Sequence, residues 1–219
     1  MTELVAADIG GTNARFARAT LDGRGAPTLG TVRKYKVAEY PSLQACWRAF
    51  LADEGGPAPE RVSIAFATAI GREVIKLTNS SWVIRPAQLA AELDVGSVRL
   101  VNDFEAVAHA VARLPMEELP LLFGPDEPLP EDGSVTILGP GTGLGVAMIA
   151  FDDGEPHIVA TEGGHVDFAP LDALEGRILD QLRKDLVRVS TERIVSGPGL
   201  NTIYRALATI SHAPVTLMN

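Results

Sequence analysis

Leu4-Val5-Ala6-Ala7-Asp8-Ile9-Gly10-Gly11-Thr12-Asn13 is the stretch that decides how this chain begins to fold. Its first part, residues 4–9, is a short apolar run that stops at a pair of glycines, and residues 14–20 resume the apolar character. Short apolar runs bounded by glycine are typical of strands. A turn signal, Asp22-Gly23, then precedes a third strand candidate at residues 32–37. The sequence therefore predicts an antiparallel meander at the start of the chain.

Helical spacing alternates with strand-like runs over the rest of the chain. An N-cap candidate, Ser42, precedes apolar residues that predict an amphipathic helix: Leu43, Cys46, Trp47, Phe50 and Leu51. Further strands are predicted at residues 62–68, 74–77, 98–101, 135–138, 146–151 and 157–161, and further helices at 86–93, 104–111, 171–189 and about 200–208. The strand at 98–101 is expected to be buried, and Asp152-Asp153-Gly154 is a turn signal before the last strand. Strands that alternate with helices favour an α/β layer architecture.

A second glycine turn, Gly139-Pro140-Gly141-Thr142-Gly143-Leu144-Gly145, repeats the pattern of the first, with a strand-like run on either side. Each turn opens one half of the chain, which indicates two related lobes with a cleft between them. Between the halves, residues 114–133 contain five prolines among acidic residues, which suits a surface connection. We therefore expect a first lobe over residues 1–112 and a second lobe over residues 113–219.

The composition excludes several classes of partner. The chain has 28 acidic and 19 basic residues and a formal net charge of −9. Because an acidic surface repels phosphate backbones, we expect neither nucleic acid nor an anionic membrane as a partner. The only cysteine, Cys46, excludes an intrachain disulfide and a cysteine-based zinc site. The N-terminus lacks the features of a signal peptide, and no stretch is long enough to span a bilayer, so we expect a cytoplasmic protein.

The two glycine turns are candidate phosphate sites. Glycine permits a positive φ and lets a phosphate approach the backbone closely, and consecutive N–H groups then form a cradle for the anion. Glycine clusters more often mark plain hairpins. Two turns, each with threonine beside glycine and one with Asp8 at a strand end, favour polyphosphate binding instead. Neither turn fits a Walker loop, which needs lysine, or the dinucleotide fingerprint.

Asn102-Asp103 follows a predicted strand and precedes a predicted helix. The carboxyl ends of strands are where α/β folds place their ligands. An aspartate at this position can be a helix N-cap, or a base that accepts the proton of an attacking hydroxyl. The two roles can coexist.

The run Thr161-Glu162-Gly163-Gly164-His165-Val166-Asp167-Phe168 allows three interpretations. Glu162, His165 and Asp167 could bind a metal, although three scattered ligands make a weak site. His165 could equally be an ordinary loop histidine. In a sugar site, Glu162 and His165 would form hydrogen bonds with neighbouring hydroxyls. Glu192 by itself looks like a solvated charge or the start of a helix.

Taken in order, these motifs resemble those of the bacterial glucokinase family, in the hexokinase–actin-like superfold, along nearly the whole chain. The resemblance depends on Asp8-Ile9-Gly10-Gly11-Thr12-Asn13-Ala14-Arg15, Thr78-Asn79 with Trp82, Val101-Asn102-Asp103-Phe104, the second glycine turn, Glu162-Gly163-Gly164-His165-Val166-Asp167-Phe168, and Glu192-Arg193 before Ser196-Gly197-Pro198-Gly199. It implies an α/β protein with the actin-like ATPase (ribonuclease H-like) two-lobe fold and mixed sheets. Because family members continue well past residue 219, it also implies an incomplete second lobe.

The resemblance implies glucose and ATP as substrates, with Mg²⁺ as the metal. Residues that match the family's glucose ligands are Asn102, Asp103, Glu162, His165 and Glu192, and the match to Asp103 is the catalytic base. The phosphates would contact Ala7, Asp8, Ile9, Gly10, Gly11, Thr12, Asn13, Gly141, Thr142 and Gly143. Asp8 would lie near Mg²⁺, through water.

Three alternatives stay open beside this assignment. A ROK-type sugar kinase shares the Glu-Gly-Gly-His motif, but that family typically has a cysteine-rich zinc loop after the histidine. A sugar-sensing regulator would need a DNA-binding element, and neither a helix-turn-helix before Leu4 nor a basic surface is found. The third alternative is a truncated, inactive remnant. The oligomeric state is open, with a homodimer as one option.

Overall fold

The computed structural model describes residues 2–22, 27–68, 70–77 and 80–216. The chain divides into two compact units, Met1–Asp126 and Glu127–Asn219. This division lies later in the chain than the expected one after Ala112, because the proline-rich connection up to Asp126 groups with the first unit. Among the described residues, no helix is long and apolar enough to cross a membrane. The expected motif residues Thr78 and Asn79, and Gly23 of the expected turn, lie outside the described residues.

The first unit is built on a mixed sheet. Strand β1 (Thr2–Ile9) pairs antiparallel with β2 (Asn13–Leu21), which pairs with both β3 (Thr28–Leu29) and β4 (Arg33–Lys36). These pairs confirm the antiparallel meander. On the other side of β1 lie β5 (Arg61–Phe66) and then β8 (Ser97–Asn102), both parallel to their neighbours. A small hairpin, β6 (Ile75–Lys76) with β7 (Val83–Ile84), stands apart from this sheet.

Apolar packing fixes the helices of this unit. Helix α1 (Leu43–Glu54) begins after Ser42, whose side chain accepts a hydrogen bond from Ala45 N at 3.2 Å, and ends at Gly55 with φ +71°. Its buried face packs Phe50 on Phe16, with ring centroids 5.1 Å apart. Helices α2 (Pro86–Leu93) and α3 (Asp103–Val111) follow. Burial of apolar surface stabilises such packing by about 25 cal/mol per Å².

Register in the first sheet brings three strand ends together. Ile9 lies opposite Phe66, and Phe66 lies opposite Asn102. Because β1, β5 and β8 are parallel, their carboxyl ends lie at one edge of the sheet. Of β8 only Val101 is buried, since β8 is the last strand of this sheet; the expectation of a fully buried strand was wrong. The first glycine turn and Asn102 therefore belong to the same edge.

The second unit begins with a three-stranded antiparallel sheet. It consists of β9 (Gly133–Pro140), β10 (Leu144–Asp152) and β11 (Glu155–Thr161). The second glycine turn joins β9 to β10. The next turn has positive φ at Asp153 (54°) and Gly154 (76°), which suits a two-residue hairpin, as its Asp-Gly sequence indicated.

Two helices complete the second unit. Helix α5 (Gly197–Ile210) confirms the last predicted helix, although it begins earlier, after the N-cap Ser196. Helix α4 (Ala173–Leu182) is shorter than the helix expected over residues 171–189. The prediction was wrong beyond Leu182 because the chain becomes extended near Val189. There Val189 is buried, its carbonyl accepts a hydrogen bond from Phe168 N at 3.0 Å, and helical hydrogen bonding is lost.

Candidate functional site

The first glycine turn closes the hairpin between β1 and β2. Gly10 N donates to Asn13 O at 2.9 Å, and Thr12 O accepts from Val37 N at 3.0 Å. The glycines of both predicted phosphate turns lack a positive φ, so the conformational part of the expectation was wrong. A Cβ on Gly10 would have its nearest neighbour, Asn13 O, at 3.8 Å. Neither backbone conformation nor packing therefore requires glycine at Gly10.

At the end of β1, only Asp8 presents a side chain to solvent. Ala7 and Ile9 are buried in the core and have a packing role, so only their backbone atoms could reach a phosphate. The Asp8 carboxylate is 52% exposed and lies 2.6 Å from Nη1 of Arg15, its cross-strand partner in the register. An exposed carboxylate beside an open turn could approach a phosphate-bound cation.

Asn102 is held by a capping box at the start of α3. Its Oδ1 accepts from Phe104 N (2.9 Å) and Glu105 N (3.3 Å), and the Glu105 carboxylate accepts from Asn102 N at 3.2 Å. Nδ2 of Asn102 donates to Thr68 O at 3.2 Å, which ties α3 to the end of β5. The N-cap is therefore Asn102, whereas the sequence had suggested Asp103 for that role.

Asp103 is the first residue of α3 and is half-buried. Its Oδ1 accepts from Phe104 N at 2.9 Å, which fixes the carboxylate at the same sheet edge as the first glycine turn. The structure thus brings Asp8, the first turn, Asn102 and Asp103 to one edge of the first unit.

The second glycine turn is tied to two later segments of its own unit. Gly141 O accepts from Gly197 N at 2.8 Å, at the start of α5. Glu192 Oε2 accepts from Leu144 N at 3.0 Å, just after the turn. A Cβ on Gly143 would collide with the Glu192 carboxylate, whereas one on Gly141 would have nothing within 4 Å. A side chain at position 143 would therefore force the Glu192 carboxylate to move, whereas position 141 has open space.

His165 lies between two carboxylates. Its Nε2 is 3.6 Å from Glu162 Oε2, and its Nδ1 is 3.7 Å from Glu192 Oε1. The side chains of Glu162 and His165 are 63% and 56% exposed, so their polar atoms remain accessible, while Glu192 is 31% exposed. Glu192 lies in the first turn of a 3-10 helix (Thr191–Arg193), as the helix-start interpretation expected, and its carboxylate is also engaged by Leu144 N and His165. Glu162, His165 and Glu192 therefore form one cluster. In the sequence analysis, only the resemblance to the glucokinase family had grouped all three.

This cluster lies against an open cleft of about 420 Å³ within the second unit. Ligand pockets in proteins typically span about 300 to 1,000 Å³. The lining includes a threonine of the second glycine turn, two members of the cluster, and polar residues up to the start of α5: Thr142, His165, Arg188, Ser190, Glu192, Arg193, Ser196 and Thr202. The cleft is therefore polar and large enough for a small hydrophilic molecule.

One of the three candidate metal ligands in residues 161–168 is engaged by an arginine. Asp167 binds Arg188, whose Nε lies 2.5 Å from Asp167 Oδ1. In the part of the chain that the structure describes, no group of three or more His, Cys, Asp or Glu side chains could hold a metal ion.

Two further residues have structural roles that the sequence analysis did not assign to them. Arg188 was missed because it falls in the stretch expected to be helical, where a charged residue reads as a solvated face. Trp82, part of the resemblance, is buried and donates from Nε1 to Tyr40 O at 2.9 Å, which gives it a role in the core.

The chain is similar to known proteins in both sequence and fold. The family model described as Glucokinase matches residues 5–218. A glucokinase of Zymomonas mobilis is 51% identical over 217 residues, which are 99% of this chain and 67% of that protein. A crystal structure of a glucokinase from an Antarctic psychrotroph covers 100% of this chain and 68% of its own, with a TM-score of 0.81 and 28% identity.

A second solved structure, of Balamuthia mandrillaris glucokinase in complex with glucose, has a TM-score of 0.72 and 24% identity over 96% of this chain and 64% of its own. The likeness is one of fold. The chain spans about two thirds of the length of these relatives.

The mixed sheet and the two glycine turns thus define the class of actin-like ATPase folds to which sugar kinases belong. Within it, this chain belongs to the glucokinase family.

Proposed function

We propose that the protein transfers the γ-phosphoryl group of ATP to the 6-hydroxyl of D-glucose. The observation that carries this proposal is the cluster of Glu162, His165 and Glu192, with the imidazole 3.6 and 3.7 Å from the two carboxylates, beside the second glycine turn. Carboxylate oxygens accept hydrogen bonds from hydroxyls, and an imidazole can donate or accept. Such a group suits the vicinal hydroxyls of a sugar. The glucokinase of Zymomonas mobilis, 51% identical over 99% of this chain, supports the same substrate.

Asp103 is the proposed catalytic base and Asn102 a further sugar ligand. Phosphoryl transfer requires little covalent chemistry from the protein, so the base acts mainly by orienting the hydroxyl and accepting its proton. Asp103 has the required attributes: a half-buried carboxylate whose orientation is set by Phe104 N, at the carboxyl edge of a parallel sheet. The capping box holds Asn102 beside it.

The two glycine turns are the proposed phosphate contacts. Gly10 and Gly141 have room for a side chain and no positive φ, which favours a ligand as the reason for glycine. Thr12, Asn13 and Thr142 add polar atoms beside them. The proposed metal is Mg²⁺, which usually keeps several waters and is held by the phosphates and one or two protein carboxylates. Asp8 would approach it through water, and the ion would neutralise phosphate charge.

The test is a coupled assay of glucose 6-phosphate formation by this chain, with Asp103→Asn beside the exposed aspartate variant Asp180→Asn as control. The base variant is expected to lower kcat by about two to four orders of magnitude, with a far smaller change in the glucose KM. The control should behave as the unaltered chain. Retention of most of the kcat in Asp103→Asn would remove the base assignment.

Location in the cytoplasm and a homodimer are further proposals. Light scattering at micromolar concentration would test the second.

A further inference from the structure

The segments that carry His165 and Glu192 form a short antiparallel ladder, which we call the site ladder (residues 165–168 and 189–192). Asp167 bridges to Ser190 as an antiparallel pair. Phe168 N donates to Val189 O at 3.0 Å, and Thr191 N donates to Val166 O at 2.8 Å. His165 ends the 3-10 turn that leads into the first segment, and Glu192 lies in the 3-10 turn that follows the second, with His165 Nδ1 3.7 Å from Glu192 Oε1. The ladder therefore sets the separation of the two side chains.

Arg188 joins the two segments of the site ladder through its side chain. Its Nε donates to Asp167 Oδ1 at 2.5 Å, and its Nη2 donates to His165 O at 2.5 Å. Arg188 and Asp167 are diagonal neighbours across the ladder, within reach for a long side chain. The planar guanidinium presents both donors in a fixed fork, a geometry that the ammonium of lysine does not reproduce. One side chain thus fixes the backbone of His165 against the segment that leads to Glu192.

The small extent of the ladder makes this contact important. An exposed ion pair alone contributes little to stability, and these side chains are 61% and 73% exposed. The ladder itself has only the two backbone hydrogen bonds named above within its four-residue segments. The contribution of Arg188 should therefore appear in the geometry of His165 rather than in the unfolding temperature.

We propose that Arg188 is a positioning residue for sugar binding, which holds His165 at its distance from Glu192. This inference rests on the proposed function, because it assigns Arg188 to the glucose step of the same site. Its effect passes through the His165 backbone and Asp167, and requires no contact between Arg188 and a substrate.

The kinetic test compares Arg188→Ala with Arg177→Ala, a matched control. Arg177 is an exposed arginine of α4 that also donates to a backbone carbonyl, that of Ile210, and does not line the cleft. Arg188→Ala is expected to raise the glucose KM roughly five- to tenfold, with kcat and the ATP KM within about twofold and Tm within about 3 °C. Arg188→Lys should recover part of the loss. An increase in the ATP KM alone would show a direct phosphate contact and overturn the proposal.

A double-mutant cycle tests whether Arg188 and Asp167 act on the glucose KM through one shared contact or independently. Asp167→Ala should raise the glucose KM by less than Arg188→Ala, since the contact with His165 O remains. In the Arg188→Ala background, Asp167→Ala should add nothing. Additive losses would show that the two residues act separately and would overturn the inference.

A spectroscopic readout needs no turnover. The chain has four histidines, so His165→Gln assigns the His165 imidazole signals in a ¹H–¹⁵N spectrum of the free protein. Those signals should shift in Arg188→Ala and stay in place in Arg177→Ala. If the unaltered chain neither binds nor phosphorylates glucose, the proposed function fails whatever this spectrum shows. If it does both and the His165 signals and glucose KM are unchanged in Arg188→Ala, the positioning role alone fails.

Discussion

At the residue scale, the Glu192 carboxylate connects the second glycine turn to His165. One oxygen accepts from Leu144 N at 3.0 Å, and the other faces His165 Nδ1 at 3.7 Å. The missing Cβ of Gly143 leaves the space that this carboxylate occupies. A single carboxylate therefore links a glycine to a histidine that is distant in sequence.

This arrangement predicts that two alanine substitutions in the second glycine turn affect different substrates. Gly143→Ala should displace Glu192 and raise the glucose KM by about tenfold or more, because the part-buried contact of Glu192 with Leu144 N must rearrange. Gly141→Ala should leave thermal stability and the glucose KM unchanged, since a Cβ there meets nothing within 4 Å. It should raise the ATP KM if phosphate approaches the backbone closely. Steady-state kinetics with each substrate varied separately would measure both.

The outcome that contradicts this account is a normal ATP KM in Gly141→Ala together with a normal glucose KM in Gly143→Ala. The two turn glycines would then be plain hairpin residues.

At the element scale, the N-terminus of α3 combines a helix cap with a proposed sugar ligand. Asn102 uses Oδ1 for the cap and Nδ2 for Thr68 O. Aspartate caps helices as well as asparagine does, but it lacks the donor for Thr68.

We therefore expect Asn102→Asp to keep α3 intact while weakening glucose binding, because its carboxylate would face the Thr68 carbonyl. Asn102→Ala should in addition lower the free energy of unfolding by about 1 kcal/mol through loss of the cap. Chemical denaturation and glucose titration calorimetry, run on both variants, separate the two contributions. Equal stability of the two variants would argue against the capping role.

The partner side chain of the capping box gives an independent check. Glu105→Ala removes only the acceptor for Asn102 N. Its expected effect is a loss of about 0.5–1 kcal/mol in unfolding free energy with little change in kcat. A large loss of kcat at unchanged stability would mean that Glu105 has a role in the site itself.

At the scale of the whole molecule, the core of the first unit contains the only cysteine and both tryptophans. Burial raises the pKa of the Cys46 thiol to about 12. The folded state therefore keeps the proton at pH values where an exposed cysteine would lose it. Cys46 and the tryptophans are thus probes of the first unit.

Two measurable consequences follow from this pKa shift. Cys46 should react with a thiol reagent at pH 8 only as fast as the first unit opens, in step with the change in tryptophan fluorescence. The Cys46 thiol should not affect the free energy of unfolding below about pH 9. As pH rises from about 9 towards 12, the free energy of unfolding should fall, because the thiol of the unfolded chain releases its proton at a lower pH than that of the folded chain. Cys46→Ala should remove that part of the alkaline loss. Rapid labelling of the folded chain at pH 8 would contradict the burial of Cys46.

The sequence by itself determined the alternation of strands and helices, the opening meander, the N-cap of α1 and the Asp-Gly hairpin. Each of these depends on local chemistry: apolar periodicity, side-chain capping, or the φ values that a turn requires. The resemblance to the glucokinase family, found in ordered motifs, pointed to the cluster around His165 before its geometry was known.

Only the tertiary structure decided the rest. Helix α4 does not continue to Val189, because Val189 is buried and its carbonyl accepts a hydrogen bond from Phe168 N, a partner distant in sequence. Gly143 and Glu192 lie 49 positions apart in the sequence. Only the folded structure shows that the Glu192 carboxylate occupies the space left by the missing Cβ of Gly143. The role of Arg188 likewise depends on Asp167 and on the His165 carbonyl across the site ladder. Local propensity is contained in a few neighbouring residues, whereas such contacts depend on long-range packing, and this is why a single sequence does not reveal them.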